Sequence, residues 1–302
     1  MRNSYFALAR FVVSFSLIYP VICTTTFAGT FAPTPEQYAT MSQSCEEAGD
    51  TFDKDTFGKL KRIRILDTYF YLIGDTYYES ALVEAYRAPV ARRWTDGVVR
   101  FRFTTDVQPE HRSIWRDAVH QWTEDTCVTF LELGADDNET HPELLTVSYS
   151  YVSGLSNSSI GAGPSAWMYI QRQHWCTRMI RHEMGHVLGM LHEHQRDDRA
   201  GFIDVFEQNC SSRHLPNVKM LCPTVNASAY DFESVMHYSA QQTAINGRDV
   251  LRPKPEYMSY YDRMGELPCV SDLDRVAIRR EYCMKEAEAG LDAGASTPCS
   301  HE

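Results

Sequence analysis

The sequence lacks a basic block. Its 29 Lys and Arg are outnumbered by 40 Asp and Glu, for a formal net charge of −11. That balance speaks against nucleic acid or an anionic membrane as the main partner. No internal repeat is present, so nothing points to a repeat architecture. Beyond the N-terminus no apolar run approaches the roughly 20 residues of a membrane span. The composition also lacks the polar bias of a disordered chain: 43 % of residues are hydrophobic and 23 % charged, which excludes wholesale disorder. Cysteine, by contrast, is plentiful. The nine Cys fit either buried thiols in a cytosolic protein or disulfides in a secreted one.

Residues 1–30, MRNSYFALARFVVSFSLIYPVICTTTFAGT, decide between those compartments. Arg2 and Arg10 precede an apolar run over 11–23, and small residues follow. Thr26 and Ala28 are placed as the −3 and −1 residues of a cleavage site, with Val21 and Cys23 as an alternative. This is the pattern of a secretory signal peptide over residues 1–28. A membrane anchor is the competing reading. The run is about half the roughly 20 residues a span needs, and Pro20 interrupts it. A secreted protein, free of the membrane after signal cleavage, makes its cysteines disulfide candidates. It also makes four glycosylation triplets usable, at Asn138, Asn157, Asn209 and Asn226. Asn209 is the weakest of these, because Cys210 is its middle residue.

After the signal peptide, residues 29–84 are polar and mixed, with scattered apolar positions. The texture changes near Trp94. Residues 98–103 (VVRFRF) alternate as a strand does, and 127–133, 144–151 and 166–171 read as further strands. Ile114, Trp115, Ala118, Val119 and Trp122 fall on one face of a helix over 113–123. A second helix is expected over 177–188 and a last one over 271–281, with mostly irregular chain over 195–268. Residues 284–302 are rich in Ala, Gly and Glu and read as a loose tail, too short for an appended module.

The stretch that carries chemistry is HEMGHVLGMLHE, from His182 to Glu193. His182 and His186 are four residues apart, about 40° apart on one helix face and one turn above each other. Two imidazoles so placed can hold one Zn²⁺. Glu183 can lie beside the metal without ligating it and take a proton from its water. Gly189 can adopt positive φ, end the helix in a sharp turn and bring His192 round as a third ligand. Three neutral ligands leave an open position for water, as a catalytic zinc requires.

The run over 182–199, HEMGHVLGMLHEHQRDDR, resembles the signature of the astacin family of zinc endopeptidases, within the metzincins, and SVMHY over 234–238 resembles that family's Met-turn. The likeness extends more loosely over 94–283. It implies an α+β, two-lobed catalytic domain over 88–283. A twisted mixed sheet would carry the zinc-binding helix, and an irregular C-terminal lobe would hold the Met-turn and a terminal helix. It further implies that His182, His186 and His192 are the zinc ligands and Glu183 the general base. Glu193 would meet the buried N-terminus of the activated enzyme. Met236 would form an apolar floor beneath the metal, and Tyr238 would ligate zinc at rest and stabilise the oxyanion in turnover. Protein or peptide substrates would lie extended along an edge strand near 167–171.

Leu72-Ile73-Gly74-Asp75 resembles the FxGD motif of astacin pro-segments, with Leu72 in place of Phe. The likeness implies that Asp75 takes the water position on zinc, so that residues 29–87 keep the enzyme latent until an activating protease removes them. Ala85, Ala88 after Arg87, and the bonds at Arg92 and Arg93 are the candidate start sites. Cys127 and Cys283 match a family disulfide. The family's second bridge would use Cys176, but its usual partner is absent, since Leu155 and Ser156 occupy that region. Three pairings of Cys176, Cys210, Cys222 and Cys269 stay open, or Cys176 stays free. Cys23, Cys45 and Cys299 lie outside the catalytic domain. A secreted binding protein that keeps the fold without catalysis is the rival reading; Glu183 is the residue it would be expected to lose.

Overall fold

The computed structural model describes residues 91–283, apart from 135–136, 138–139, 152–155, 164, 222–223 and 225, together with the backbone of three strands between residues 62 and 79. The expected signal peptide, most of segment 29–87 and the tail lie outside the described residues. So do Asp75, Asn138, Cys222 and the candidate start sites at 85–88.

The three early strands are β1 (Arg62–Ile65), β2 (Thr68–Ile73) and β3 (Thr76–Glu79), an antiparallel meander. Scattered apolar residues gave no reason to expect strands here. Yet RIRI, TYFYLI and TYYE carry the β-branched and aromatic enrichment of strands.

The longer described region begins with β4 (Val98–Phe103), α1 (Pro109–His120), β5 (Thr129–Glu132) and β6 (Leu145–Ser150). It continues through β7 (Asn157–Ser158), β8 (Ala166–Gln171) and α2 (Thr177–Val187). These strands form one sheet in the order β5-β4-β6-β8-β7. All pairings are parallel except that of β7 with β8. Parallel strands covered on both faces read as near-continuous apolar runs, and β8 buries Ala166, Trp167, Met168, Ile170 and Gln171. Helix α1 starts four residues before the expected bound at residue 113. Pro109 supplies a preset φ and has no N–H to satisfy, while the first turn stays solvated.

Among the described residues after α2, the strands before α3 (Asp272–Tyr282) are β9 (Ile203–Val205) and β10 (Leu251–Pro253), paired antiparallel. Two cores result. One gathers Trp94, Trp115, Trp122, Met168, Ile180 and Met184; the other gathers Ile203, Phe232, Val250, Leu251 and Met264. Helix α3 opens on a reciprocal cap between Ser271 and Asp274 and returns Ile278 to the first core. The expected α+β, two-lobed fold is the one observed.

Cys127 and Cys283 are joined, as the resemblance implied. Cys269 is also disulfide-bonded. Cys176 and Cys210 are free thiols, which removes every bridge proposed for either. They cannot meet: Cys176 sits at the exposed start of α2, while Cys210 is buried in the second core with Sγ 3.3 Å from Thr243 Oγ1. Among the described residues no helix is long and apolar enough to cross a membrane.

Candidate zinc centre

Helix α2 places the His182 and His186 rings with centroids 4.9 Å apart. The helix ends where the sequence predicts. Gly189 has φ +101°, its N–H donates to His186 O, and Met190 N–H donates to Gly185 O. This is a Schellman turn, and it needs a residue tolerant of positive φ. The chain then returns His192, whose ring lies 4.7 Å from that of His186 and 5.2 Å from that of His182. One ligand atom from each of the three lies within 4.8 Å of the others.

The hydrogen bonds of the rings decide what this cluster can hold. His182 Nδ1 faces Val235 O at 2.7 Å, His186 Nδ1 faces Met190 O at 2.8 Å, and His192 Nδ1 faces Gln195 Oε1 at 2.6 Å. Each partner is an acceptor only, so each ring carries its proton on Nδ1 and its lone pair on Nε2. That is the tautomer of a neutral metal-ligating imidazole oriented by an outer partner. Three convergent neutral nitrogens fit Zn²⁺.

Glu183 is buried on the same helix, one residue after His182, and its Oε2 accepts a 2.8 Å bond from Ser158 Oγ on β7. Met236 is fully buried beneath α2. A Cβ at Gly185 would stand 2.3 Å from its Sδ, so glycine at 185 is what lets the floor approach the helix. Tyr238 is buried with its ring 4.8 Å from that of His192, and its hydroxyl accepts from Asn217 Nδ2 at 3.0 Å. Glu193 follows His192, is buried, and donates its N–H to Met236 O at 3.0 Å. Its Oε1 accepts from Arg196 Nη1 and from Asp231 N, both at 2.8 Å. Burial pushes this carboxyl up to about 7, against the pull of Arg196.

Several expectations need correction. Residues 167–171 are not the sheet edge, because β7 covers β8 on that side through Asn157 opposite Tyr169 and Ser158 opposite Met168. The edge strand is β7. Asn157 is only 5 % exposed, so this fold leaves no room for a sugar there. Asn209 Nδ2 donates to Asp249 O and Asn226 Nδ2 to Asp197 Oδ1, so both amides serve internal contacts. Ser158, Gln195 and Asn217 were not singled out from the sequence as site residues. A Gly-rich or charged motif would have flagged them; a lone Ser, Gln or Asn carries no such signal.

A helix that presents two imidazoles and a carboxylate, with a turn that returns a third imidazole over a methionine floor, is the plan of a metzincin-type zinc peptidase. The sequence matches the Astacin peptidase family over residues 87–283, more than half of the chain, and the chain belongs to that family of zinc metallopeptidases. Bone morphogenetic protein 1 of Xenopus laevis is 30 % identical over 199 residues, covering 63 % of this chain and 27 % of that one. The astacin-like metalloendopeptidase of Gallus gallus is 27 % identical over 210 residues, covering 66 % and 47 %. The chain thus spans about a quarter of the first relative and under half of the second. Among solved structures, high choriolytic enzyme 1, a hatching-enzyme zinc protease from Oryzias latipes, shares the fold. Its TM-score is 0.56 at 22 % identity, covering 64 % of this chain and 94 % of that one.

Proposed function

We propose that this chain is a secreted endopeptidase, made as a zymogen, that hydrolyses peptide bonds at the centre formed by His182, His186 and His192. The observation that carries the reading is the convergence of three imidazoles of one tautomer beside Glu183. When bound there, zinc supplies Lewis acidity toward the scissile carbonyl and an acidified water.

The residues divide the remaining work. Glu183 accepts the proton of the attacking water and returns it to the leaving amine. Ser158 holds the Glu183 carboxylate on the sheet side. Tyr238 donates to the oxyanion, a contact worth about 2.7–4 kcal/mol when well placed. Substrate lies extended along β7, adding its own backbone to that edge of the sheet once the segment carrying β3 is removed. Asp75 is the proposed latch, whose carboxylate would take the place of the water before activation. In sequence it falls between β2 and β3, and the backbone of β3 runs within 8 Å of β7. An activating protease removes the segment, and the new α-amino group then pairs with Glu193.

The test uses the full chain secreted from cultured cells and converted by limited trypsin treatment. Cleavage of a denatured protein substrate is measured with and without a zinc chelator, beside Glu183→Ala. Chelation is expected to abolish cleavage, and Glu183→Ala to lower kcat by at least about 10²-fold. Cleavage at an undiminished rate by Glu183→Ala overturns the mechanism. Mass spectrometry of the active form is expected to show a start between residues 85 and 94; an active form that retains Asp75 rules out the latch.

A further inference from the structure

Gln195, which holds His192, is bonded to the short loop over 215–221 that also carries Asn217, the partner of Tyr238. Gln195 Oε1 orients His192, while its Nε2 donates to Pro216 O at 3.0 Å and Lys219 O at 2.8 Å. The Gln195 backbone carbonyl accepts from Leu221 N at 2.8 Å. Asn217 projects from the same loop to donate to the Tyr238 hydroxyl. The loop is held from a third side. His194 Nε2 donates to Asn217 O at 2.8 Å, and its Nδ1 accepts from Tyr238 N at 3.2 Å. Arg199 Nη1 spans His194 O and Val218 O. Gln195, Asn217 and His194 are each at most 4 % exposed, so these bonds do not compete with bulk water.

We propose that loop 215–221 is one positioning element serving both sides of the reaction centre. Gln195 sets the orientation of the third zinc ligand, and Asn217 sets the resting place of the Tyr238 hydroxyl. The proposal rests on the zinc-peptidase reading above. Its chemistry is specific. Asn217 donates to the tyrosine oxygen, so it fixes that oxygen without consuming the hydroxyl proton, which stays available for the oxyanion. Gln195 accepts from Nδ1, which keeps His192 in the tautomer that ligates through Nε2. Gln195 and Asn217 are positioning residues, because each acts through another side chain.

The experiment combines zinc competition with a double-mutant cycle on the activated full chain. Zinc affinity is measured against a calibrated chelator, so that arm does not depend on peptidase activity. Gln195→Leu is expected to weaken zinc binding about 10–100-fold, and Gln195→Met, which keeps the side-chain length but offers Nδ1 no oxygen, to weaken it to a similar extent. Asn217→Ala keeps the backbone carbonyl that His194 uses. It is expected to lower kcat about tenfold, with KM within about twofold and zinc affinity unchanged. In a Tyr238→Phe background the same substitution is expected to have no further effect. If Asn217→Ala does not fold, Asn217→Asp, which conserves volume and replaces the donor by an acceptor, is read in the same cycle. Multiplicative effects of Asn217→Ala and Tyr238→Phe overturn the Asn217 half. Wild-type zinc affinity in Gln195→Leu overturns the Gln195 half. A wild-type chain that neither binds zinc nor cleaves protein overturns instead the function on which the proposal rests.

Discussion

From residue 98 to residue 187 the chain is carried by a five-stranded sheet and two helices. From 188 to 270 it has two three-residue strands and short 3₁₀ turns, with no α-helix among the described residues. The first region satisfies its backbone through ladders and fills its core with Trp115, Trp122, Leu145, Met168 and Ile180. The second buries charge instead. Glu193, Arg196, Arg199 and Asp231 are nearly inaccessible, and many of their partners are backbone groups. Arg196 reaches Ser228 O and Ala229 O; Arg199 reaches His194 O and Val218 O; Glu193 accepts from Asp231 N. Irregular backbone still has to place every buried N–H and C=O. Where no ladder exists, long charged side chains do this, and aromatic pairs such as Phe202 with Tyr230, centroids 4.4 Å apart, fill the space between. Such a network is costly when incomplete, so the second region tolerates less local change than its lack of regular structure implies.

The zinc centre sits on the seam between these regions, and three perturbations test how far the regions depend on each other. The largest effect is expected from Cys127→Ser with Cys283→Ser. This bridge closes a sequence separation of 156 and anchors the end of α3. Its loss should cost about 2–5 kcal/mol in denaturant unfolding. A single remaining transition would mean that the two regions unfold as one unit; two transitions would show the irregular region melting by itself. Next comes Gly185→Ala, whose new Cβ collides with Met236 across the seam. A loss of about 1–3 kcal/mol is expected, together with weaker zinc binding. A loss below about 0.5 kcal/mol would mean that Met236 can move aside.

The smallest effect is a pH dependence confined to the second region. Burial lowers His237 from 6.5 to about 4, while Tyr230 and the Tyr238 carbonyl hydrogen-bond its ring. The folded value lies below the unfolded one, so the fold holds the neutral ring. The stabilisation is complete above pH 6.5 and is lost as pH falls towards 4. Between about pH 6.5 and about pH 5.5 the wild type should lose about 1 kcal/mol more than His237→Gln. Parallel pH curves for the two proteins would remove His237 from the account.

The regular region was legible because its cues are local. VVRFRF alternates, and the apolar residues after Ile114 repeat at helical spacing. His182, Glu183 and His186 fall together on one turn and a half of α2. Gly189 announced its turn because few other residues accept that φ. The bounds slipped where periodicity is silent, as at Pro109, whose turn is exposed and polar. In the irregular region a resemblance, not a pattern, pointed to Met236 and Tyr238. Ser158, Gln195 and Asn217 went unmarked, since two of their key contacts join residues 25 and 21 positions apart and their residue types occur everywhere.

The sequence by itself therefore determined the donor set: three imidazoles, a carboxylate one residue after the first, and a glycine to turn the chain between the second and third. Spacing within a helix turn fixes such relations without help from the rest of the molecule. Only the tertiary structure decided which oxygen orients each imidazole, which strand forms the edge beside Glu183, and which thiols stay free. Those choices depend on segments distant in sequence, brought together by burial of two cores and by hydrogen bonds that follow no repeating pattern.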